Sequence, residues 1–478
     1  MSKPTVILST SNGIGMGHLA RASAIAKALK SQANPIIVSM AGGIAEIPDA
    51  LGIPCEYIPG KDRRWMPRPK WDLYLRDRLV ALIDETDAKV LTYDGVVPYA
   101  GVIAARIARP NVKLVWIRRG LWQKKIHRFA LPLQSASMDL VIEPGDYAFA
   151  YDHGPTAKRK EAIRTAPVSL YQSNEALSKE ESRKLLGLDQ NRSAVLVQLG
   201  TGADDANEKV TAALKGLLGW ADLQVVLTKE PVDKSGKSLA PEGLDLKVIR
   251  YFPLAKVLAA FDAGICATGY NGVHELLAAK LPTVLVSNIR GMDDQEARAK
   301  WCHDFGYALR ANQADLNDIT KTVKELQDPN LRASLSFKCA ELPAPIGGEE
   351  IANKIVKFIE APTSSKNLAR KFLFQSLRYL AIGYRAIVKQ KPGAEVSDSA
   401  PIFSDSTSAA ELQKNIRSGA RFEHMIDGAS SKYKAAKSDC RYLLQLSQYS
   451  GSHFEDLFHC HHRRRTIWLL RCPGASKS

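Results

Sequence analysis

The stretch Asp262-Ala263-Gly264-Ile265-Cys266-Ala267-Thr268-Gly269-Tyr270-Asn271-Gly272-Val273-His274-Glu275-Leu276-Leu277-Ala278-Ala279-Lys280-Leu281-Pro282-Thr283-Val284-Leu285-Val286 decides the fold. Ala263 to Ala267 reads as a buried strand, Val273 to Ala279 as a short helix carrying one acid, and Thr283 to Val286 as a second buried strand. Asp293-Asp294-Gln295-Glu296 follows shortly after. This order sets small polar groups and helix amides at the carboxyl ends of neighbouring strands, where open α/β sheets bind ligands.

The same alternation extends in both directions. Upstream, Ala194 to Gln198, Leu223 to Thr228 and Leu246 to Ile249 read as strands, with helices over Asn207 to Leu217 and Leu254 to Phe261. Nearer the start, the series runs Thr5 to Ser9, Leu19 to Lys30, Pro35 to Ser39, Leu73 to Thr86, Val90 to Thr92 and Val102 to Arg106. Strand and helix in turn predict parallel sheets with crossover helices. The polar stretch Gly154 to Arg164 separates the two series, so the expected architecture is two Rossmann-like α/β domains, residues 1–170 and 171–360, facing across a cleft.

Two glycine loops open these domains. After the first strand comes Ser11-Asn12-Gly13-Ile14-Gly15-Met16-Gly17-His18, and then an alanine-rich helix. Its glycines permit close backbone approach, so a polar or anionic ligand can reach the amides of a helix N-terminus. A nicotinamide-dinucleotide site fits poorly: His18 stands where the third glycine of the usual fingerprint would fall, and the second strand ends in Val38-Ser39-Met40-Ala41-Gly42 without a ribose-binding acid. In the second loop, Leu199-Gly200-Thr201-Gly202-Ala203-Asp204-Asp205, glycines and a hydroxyl again stand at a strand-to-helix turn. Asp204 and Asp205 read as N-terminal capping charge rather than as metal ligands.

The chain has 478 residues and a formal charge of +16, from 66 Lys and Arg against 50 Asp and Glu. Residues 361–478 hold 19 of those cations and 9 of the acids, so the basicity is mainly a property of a C-terminal extension. Seven scattered cysteines fit a reducing compartment better than a disulfide framework. No apolar run approaches the roughly 20 residues needed to cross a bilayer, so the expected location is cytoplasmic, either free or peripheral on the inner face of the membrane.

These residues resemble the GT-B glycosyltransferases, specifically the family 28 branch whose best-known member adds N-acetylglucosamine to the lipid-linked peptidoglycan precursor. The resemblance spans about residues 5–360 in element order, with Gly269 to Gln295 and the Gly13-Ile14-Gly15-Met16-Gly17-His18 start as its strongest motifs. It implies a nucleotide-sugar donor in the second domain and an acceptor in the first. Gly200, Thr201 and Gly202 would line the diphosphate, and Tyr251 would meet the uracil through its backbone. Gly269 and Asn271 would face the phosphates, Glu275 would accept from the ribose hydroxyls, and Asp294 with Gln295 would bind the sugar. The alternative for Glu275 is that it serves only the dipole of its own helix, and its spacing to Gly269 favours the ribose role.

His18 is the candidate general base, since a neutral imidazole can take a hydroxyl proton near pH 7. Asp94, ending another first-domain strand, is the second candidate, and Gly15, Gly17, Arg118 and Arg119 are candidate acceptor contacts. The chain departs from the family pattern at Ala166-Pro167-Val168-Ser169, where an arginine is expected after Pro-Val, and at Ala267, where arginine often precedes the glycine turn. The resemblance implies inverting transfer of a hexose from a UDP-sugar to a glycan or lipid-linked acceptor, in polysaccharide or glycolipid synthesis, without metal or cofactor.

Arg63 to Trp71 and Trp116 to Lys125 alternate cations with aromatics, which suits a lipid diphosphate or an acidic glycan, or else forms only a solvated loop. Without an RNA-binding signature, nucleic acid is not expected as a partner. Asn367 to Lys391 reads as a basic amphipathic helix that lies either on an anionic membrane, through residues 361–391, or on its own protein. His459-Cys460-His461-His462 with Cys472 lacks metal-site spacing. Two other functions remain open: a GT-B enzyme that epimerises or hydrolyses a UDP-sugar, and a basic binding protein without catalysis.

Overall fold

The computed structural model describes residues 3–11, 17–40, 48, 50–61, 66, 68–124, 131–199, 206–228, 238–249, 251–289, 292–362, 369–377, 379 and 380. Two parallel sheets form. The first has the order β3-β2-β1-β4-β5-β6-β7, with β1 Thr5–Thr10, β2 Asn34–Ser39, β3 Cys55–Tyr57, β4 Val90–Asp94, β5 Lys113–Ile117, β6 Leu140–Glu143 and β7 Ile163–Arg164. The second has the order β10-β9-β8-β11-β12-β13, with β8 Ser193–Gln198, β9 Leu223–Leu227, β10 Asp245–Val248, β11 Ala263–Ala267, β12 Thr283–Val286 and β13 Leu309–Ala311. Helices cover both faces of such sheets, so central strands are buried along their whole length: every residue of β4, β5 and β12 is buried. This is the two-domain GT-B arrangement.

Chain order reverses between β1 and β4 in the first sheet and between β8 and β11 in the second. Thr10, Asp94 and Ile117 are register neighbours at the carboxyl edge of the first sheet. Cys266 pairs with Gln198, and Ala267 with Val286, at the same edge of the second. A crevice opens at such reversals because the flanking crossovers leave on opposite faces.

Several expectations change. The apolar series Leu254 to Phe261 forms a 3₁₀ helix over Leu254–Ala260, with Ala255 and Leu258 buried three residues apart, the spacing that suits three residues per turn. In the two cation and aromatic stretches the tryptophans among the described residues point inward rather than forming a stacking surface, and residues 63–65 lie outside the described residues. Trp116 lies fully buried in β5 and donates to the Gly95 carbonyl at 2.8 Å, Trp71 is fully buried and donates to the Pro59 carbonyl at 2.7 Å, and Trp122 is buried too.

The last helix of the expected second domain, Gly347–Glu360, packs on the helix Gly17–Leu29 of the first. Two chain segments therefore cross between the lobes, and they pair through an antiparallel bridge from Val168 to Ile346. Gly347 donates to the Pro167 carbonyl at 2.9 Å, and a Cβ there would meet the Ala166 carbonyl oxygen at 1.9 Å. Lys113 closes the end of this helix, its Nζ donating to the carbonyls of Phe358, Ile359 and Ala361.

The helical residues 369–377 follow, with Lys371 and Phe374 buried against the first domain. Part of the amphipathic helix thus packs on its own protein. The Ser-rich stretch Ser397 to Ala410, which reads as a linker, and the His459 to His462 cluster lie outside the described residues. Among the described residues no helix is long and apolar enough to cross a membrane.

Candidate active site

His18 stands in the first turn of the helix that leaves β1, and Asp94 is the last residue of β4. Because β1 and β4 are neighbours at the order reversal, these residues meet although 76 positions separate them. His18 Nδ1 lies 2.6 Å from Asp94 Oδ1. A buried carboxylate accepts from a protonated Nδ1, which leaves the Nε2 lone pair as the proton acceptor. The two candidates for the base are therefore one unit, with Asp94 holding the ring and tautomer of His18.

Arg21, three residues after His18 on the same helix, was not anticipated. Its Nε donates to Asp94 Oδ2 at 2.7 Å and its Nη2 to Asp94 Oδ1. Burial pushes the Asp94 carboxyl up, but the Arg21 charge and the His18 hydrogen bond outweigh it and hold the group below its usual range. Burial lowers the His18 pKa below its ordinary 6.5; Asp94 opposes this, while the charges of Arg21 and Arg119 add to it. His18 is thus neutral at pH 7, as a base must be.

The second sheet brings Gly269 to Glu275 to this place. Gly269 caps the helix Tyr270–Ala278, and a Cβ built on it meets nothing within 4 Å, so there is open space beside the cap itself. Asn271 Nδ2 donates to the Gly17 carbonyl at 2.8 Å, and its Oδ1 is buried without a hydrogen-bond partner. The first turns of the helices Gly17–Leu29 and Tyr270–Ala278 are therefore in direct contact. Gly15, Gly200, Thr201 and Gly202 lie outside the described residues. Burial pushes Glu275 up to about 7, against a backbone hydrogen bond from Leu170. Tyr251 is partly buried beside the second-domain core.

Other candidates are already engaged. Asp94 apart, the clearest case is Arg118, which is fully buried with its guanidinium 2.9 Å from Glu161 and 3.3 Å from Glu143, so it acts within the core rather than toward a ligand. Arg119 does face the site. It pairs with Asp293 at 3.2 Å and lies 5.7 Å from the centre of the Tyr270 ring. Asp294 caps the helix Gln295–Asp304 by accepting from the Ala297 amide at 3.0 Å, and Gln295 Oε1 accepts from the Asn288 amide at 2.9 Å.

A buried charge network, also unforeseen, ties the lobes together. Arg298 bridges Asp146 at 2.9 Å and Asp293 at 3.0 Å, and burial is more than offset by these two charges, so its pKa rises. The Tyr270 hydroxyl accepts from the Val168 amide at 2.9 Å and donates to the Gly145 carbonyl at 2.7 Å. Arg21, Arg119 and Arg298 all lie within 6 Å of the Tyr270 ring centre. The only sequence cue was spacing: Arg21 shares a helix face with His18. Among the described residues, no group of three or more His, Cys, Asp or Glu could hold a metal ion.

Comparison with known proteins bears on the second domain and on the fold. Residues 194–343 match the family model described as the glycosyltransferase family 28 C-terminal domain. Over 189 residues the chain is 32% identical to the UDP-N-acetylglucosamine--N-acetylmuramyl-(pentapeptide) pyrophosphoryl-undecaprenol N-acetylglucosamine transferase of Nocardioides sp., covering 38% of this chain and 52% of the relative. Over 146 residues it is 30% identical to 4'-demethylrebeccamycin synthase of Lentzea aerocolonigenes, covering 30% of this chain and 33% of the relative. The chain thus spans between a third and about half of these curated relatives. Among solved structures, the spinosyn forosaminyltransferase SpnP superposes with a TM-score of 0.53 at 13% identity, over 75% of this chain and all of that one, which is a likeness of fold.

Proposed function

Starting from a GT-B fold whose second lobe is family 28-like, we propose that this chain moves a hexose, with inversion, from a UDP-sugar to a hydroxyl of a glycan or lipid-linked acceptor. The observation that carries the reading is the His18–Asp94 pair at the order reversal of the first sheet, next to the Gly17 carbonyl that accepts from Asn271 of the second. Nε2 takes the proton from the acceptor oxygen as that oxygen attacks the anomeric carbon. UDP then leaves from the opposite face of the sugar. Asp94 stabilises the imidazolium as it forms.

The diphosphate would lie against the N-terminus of the helix Tyr270–Ala278, where main-chain amides meet the growing negative charge. Each such donor is worth about 3 kcal/mol in related acyl-transfer sites, so the reading requires neither a metal nor a cofactor. The partly buried Glu275 carboxylate, which burial pushes up against a backbone hydrogen bond from Leu170, would accept from the ribose hydroxyls.

The test is a panel of nucleotide sugars, each incubated with and without glycan or lipid-linked acceptors, with UDP release and product anomeric configuration as readouts. Acceptor-dependent UDP release with an inverted product supports the proposal. Rapid epimer formation or hydrolysis without acceptor would reject transfer as the main activity, and the absence of any UDP binding would reject catalysis of this kind altogether.

A further inference from the structure

When the bond between the anomeric carbon and the donor's β-phosphate oxygen breaks, its electron pair stays on that oxygen, and the departing diphosphate becomes more negative. Helix amides meet that charge alone unless a cation stands near. The two segments that lead to the helix Tyr270–Ala278 bring none. The turn before it reads Ala267-Thr268-Gly269, and the crossing segment beside it, whose Val168 amide donates to the Tyr270 hydroxyl, reads Val168-Ser169-Leu170.

Three arginines do surround the first turn of this helix. Arg21, Arg119 and Arg298 lie 5.3, 5.7 and 5.9 Å from the centre of the Tyr270 ring. Arg21 is buried and committed to Asp94 through Nε and Nη2. Arg298 is buried as well, with Nε on Asp146, Nη1 on the Thr268 carbonyl and Nη2 on Asp293. Arg119 differs. Its side chain is 18% exposed, and among the described residues its one ion pair runs from Nη1 to Asp293 Oδ1 at 3.2 Å. A guanidinium presents five N–H donors in a planar fork, so Nε and Nη2 lie outside that pair. The Arg119 charge also reaches His18, whose pKa it helps to lower. Arg119 thus stands between the base and the helix, anchored at one nitrogen by a carboxylate that Arg298 also holds. We propose that Arg119, reaching over from the first lobe, binds the donor's β-phosphate and neutralises the leaving UDP, with Asp293 holding the guanidinium in position. It would then serve the donor rather than the acceptor. This inference rests on the sugar-transfer reading and deepens it at the leaving group.

The test is titration calorimetry of the full chain with UDP and with UMP, for the parent and for Arg119→Gln. The variant should bind UDP about tenfold more weakly, because hydrogen bonds to a charged group are lost, and should bind UMP as the parent does. Its thermal midpoint should stay close to the parent's, since a partly exposed ion pair contributes little. Equal losses for UDP and UMP would overturn the proposal in favour of a purely structural tie to Asp293. Unchanged affinity for both would overturn it as well, while leaving the donor site itself standing. A parent that binds no UDP would reject the donor reading and this inference with it.

Discussion

Glu275→Gln should make the ligand-free protein more stable while making it a poorer nucleotide binder. Burial raises the Glu275 carboxyl from its ordinary 4.5 to about 7. The folded protein therefore holds a proton that the unfolded chain releases between those values, and stability falls as pH rises through that interval. At about 1.4 kcal/mol for each factor of ten in proton activity, the full cost above pH 7 is about 3 kcal/mol. Glutamine keeps an oxygen for the Leu170 amide and carries no charge. It should therefore stabilise by about 1 kcal/mol at pH 5 and about 3 kcal/mol at pH 8. Urea unfolding of both proteins at the two pH values measures this. Without the carboxylate, a hydrogen bond to a charged acceptor is lost, and UDP should bind about tenfold more weakly, as titration calorimetry would read. A stability difference that does not grow between pH 5 and pH 8 would refute the buried-charge reasoning. Unchanged UDP affinity would refute the ribose role.

His18→Ala should reduce sugar transfer about a hundredfold or more while leaving UDP affinity intact, which a UDP-release assay paired with calorimetry would show. Since burial lowers the His18 pKa, the acid limb of kcat/KM should fall below the ordinary 6.5, and a pH profile with its midpoint above that value would count against His18 as the base. Arg21→Gln removes a cation that lowers His18 and lies against Asp94, so the same limb should move to higher pH. Gly347→Ala places a methyl group 1.9 Å from the Ala166 carbonyl oxygen and should cost about 3 kcal/mol in urea unfolding or prevent soluble expression.

Much of the scaffold was legible because buried parallel strands are short apolar runs closed by turn residues, as in Thr5 to Ser9 and Ala263 to Ala267. The strand β5 was not, because Trp116 beside Arg118 and Arg119 looks like a stacking surface in one dimension. In the fold the tryptophan and Arg118 point into the core. His18 and Asp94 were each legible as reactive groups, yet they read as rivals: only the adjacency of β1 and β4 turns them into partners. The Arg298 bridge between Asp146 and Asp293 joins residues far apart in sequence, and no local pattern marks it. Asp294 illustrates the opposite case, where a residue marked by its motif position also serves as a helix cap.

The paired segments around Val168 and Ile346 have a topological result. With two independent straps joining its halves, the molecule should survive a proteolytic nick in either one as a single particle. Opening the polypeptide at one strap and fusing the original ends is accordingly the permutation least expected to scatter the halves. Only severing both would let them drift apart.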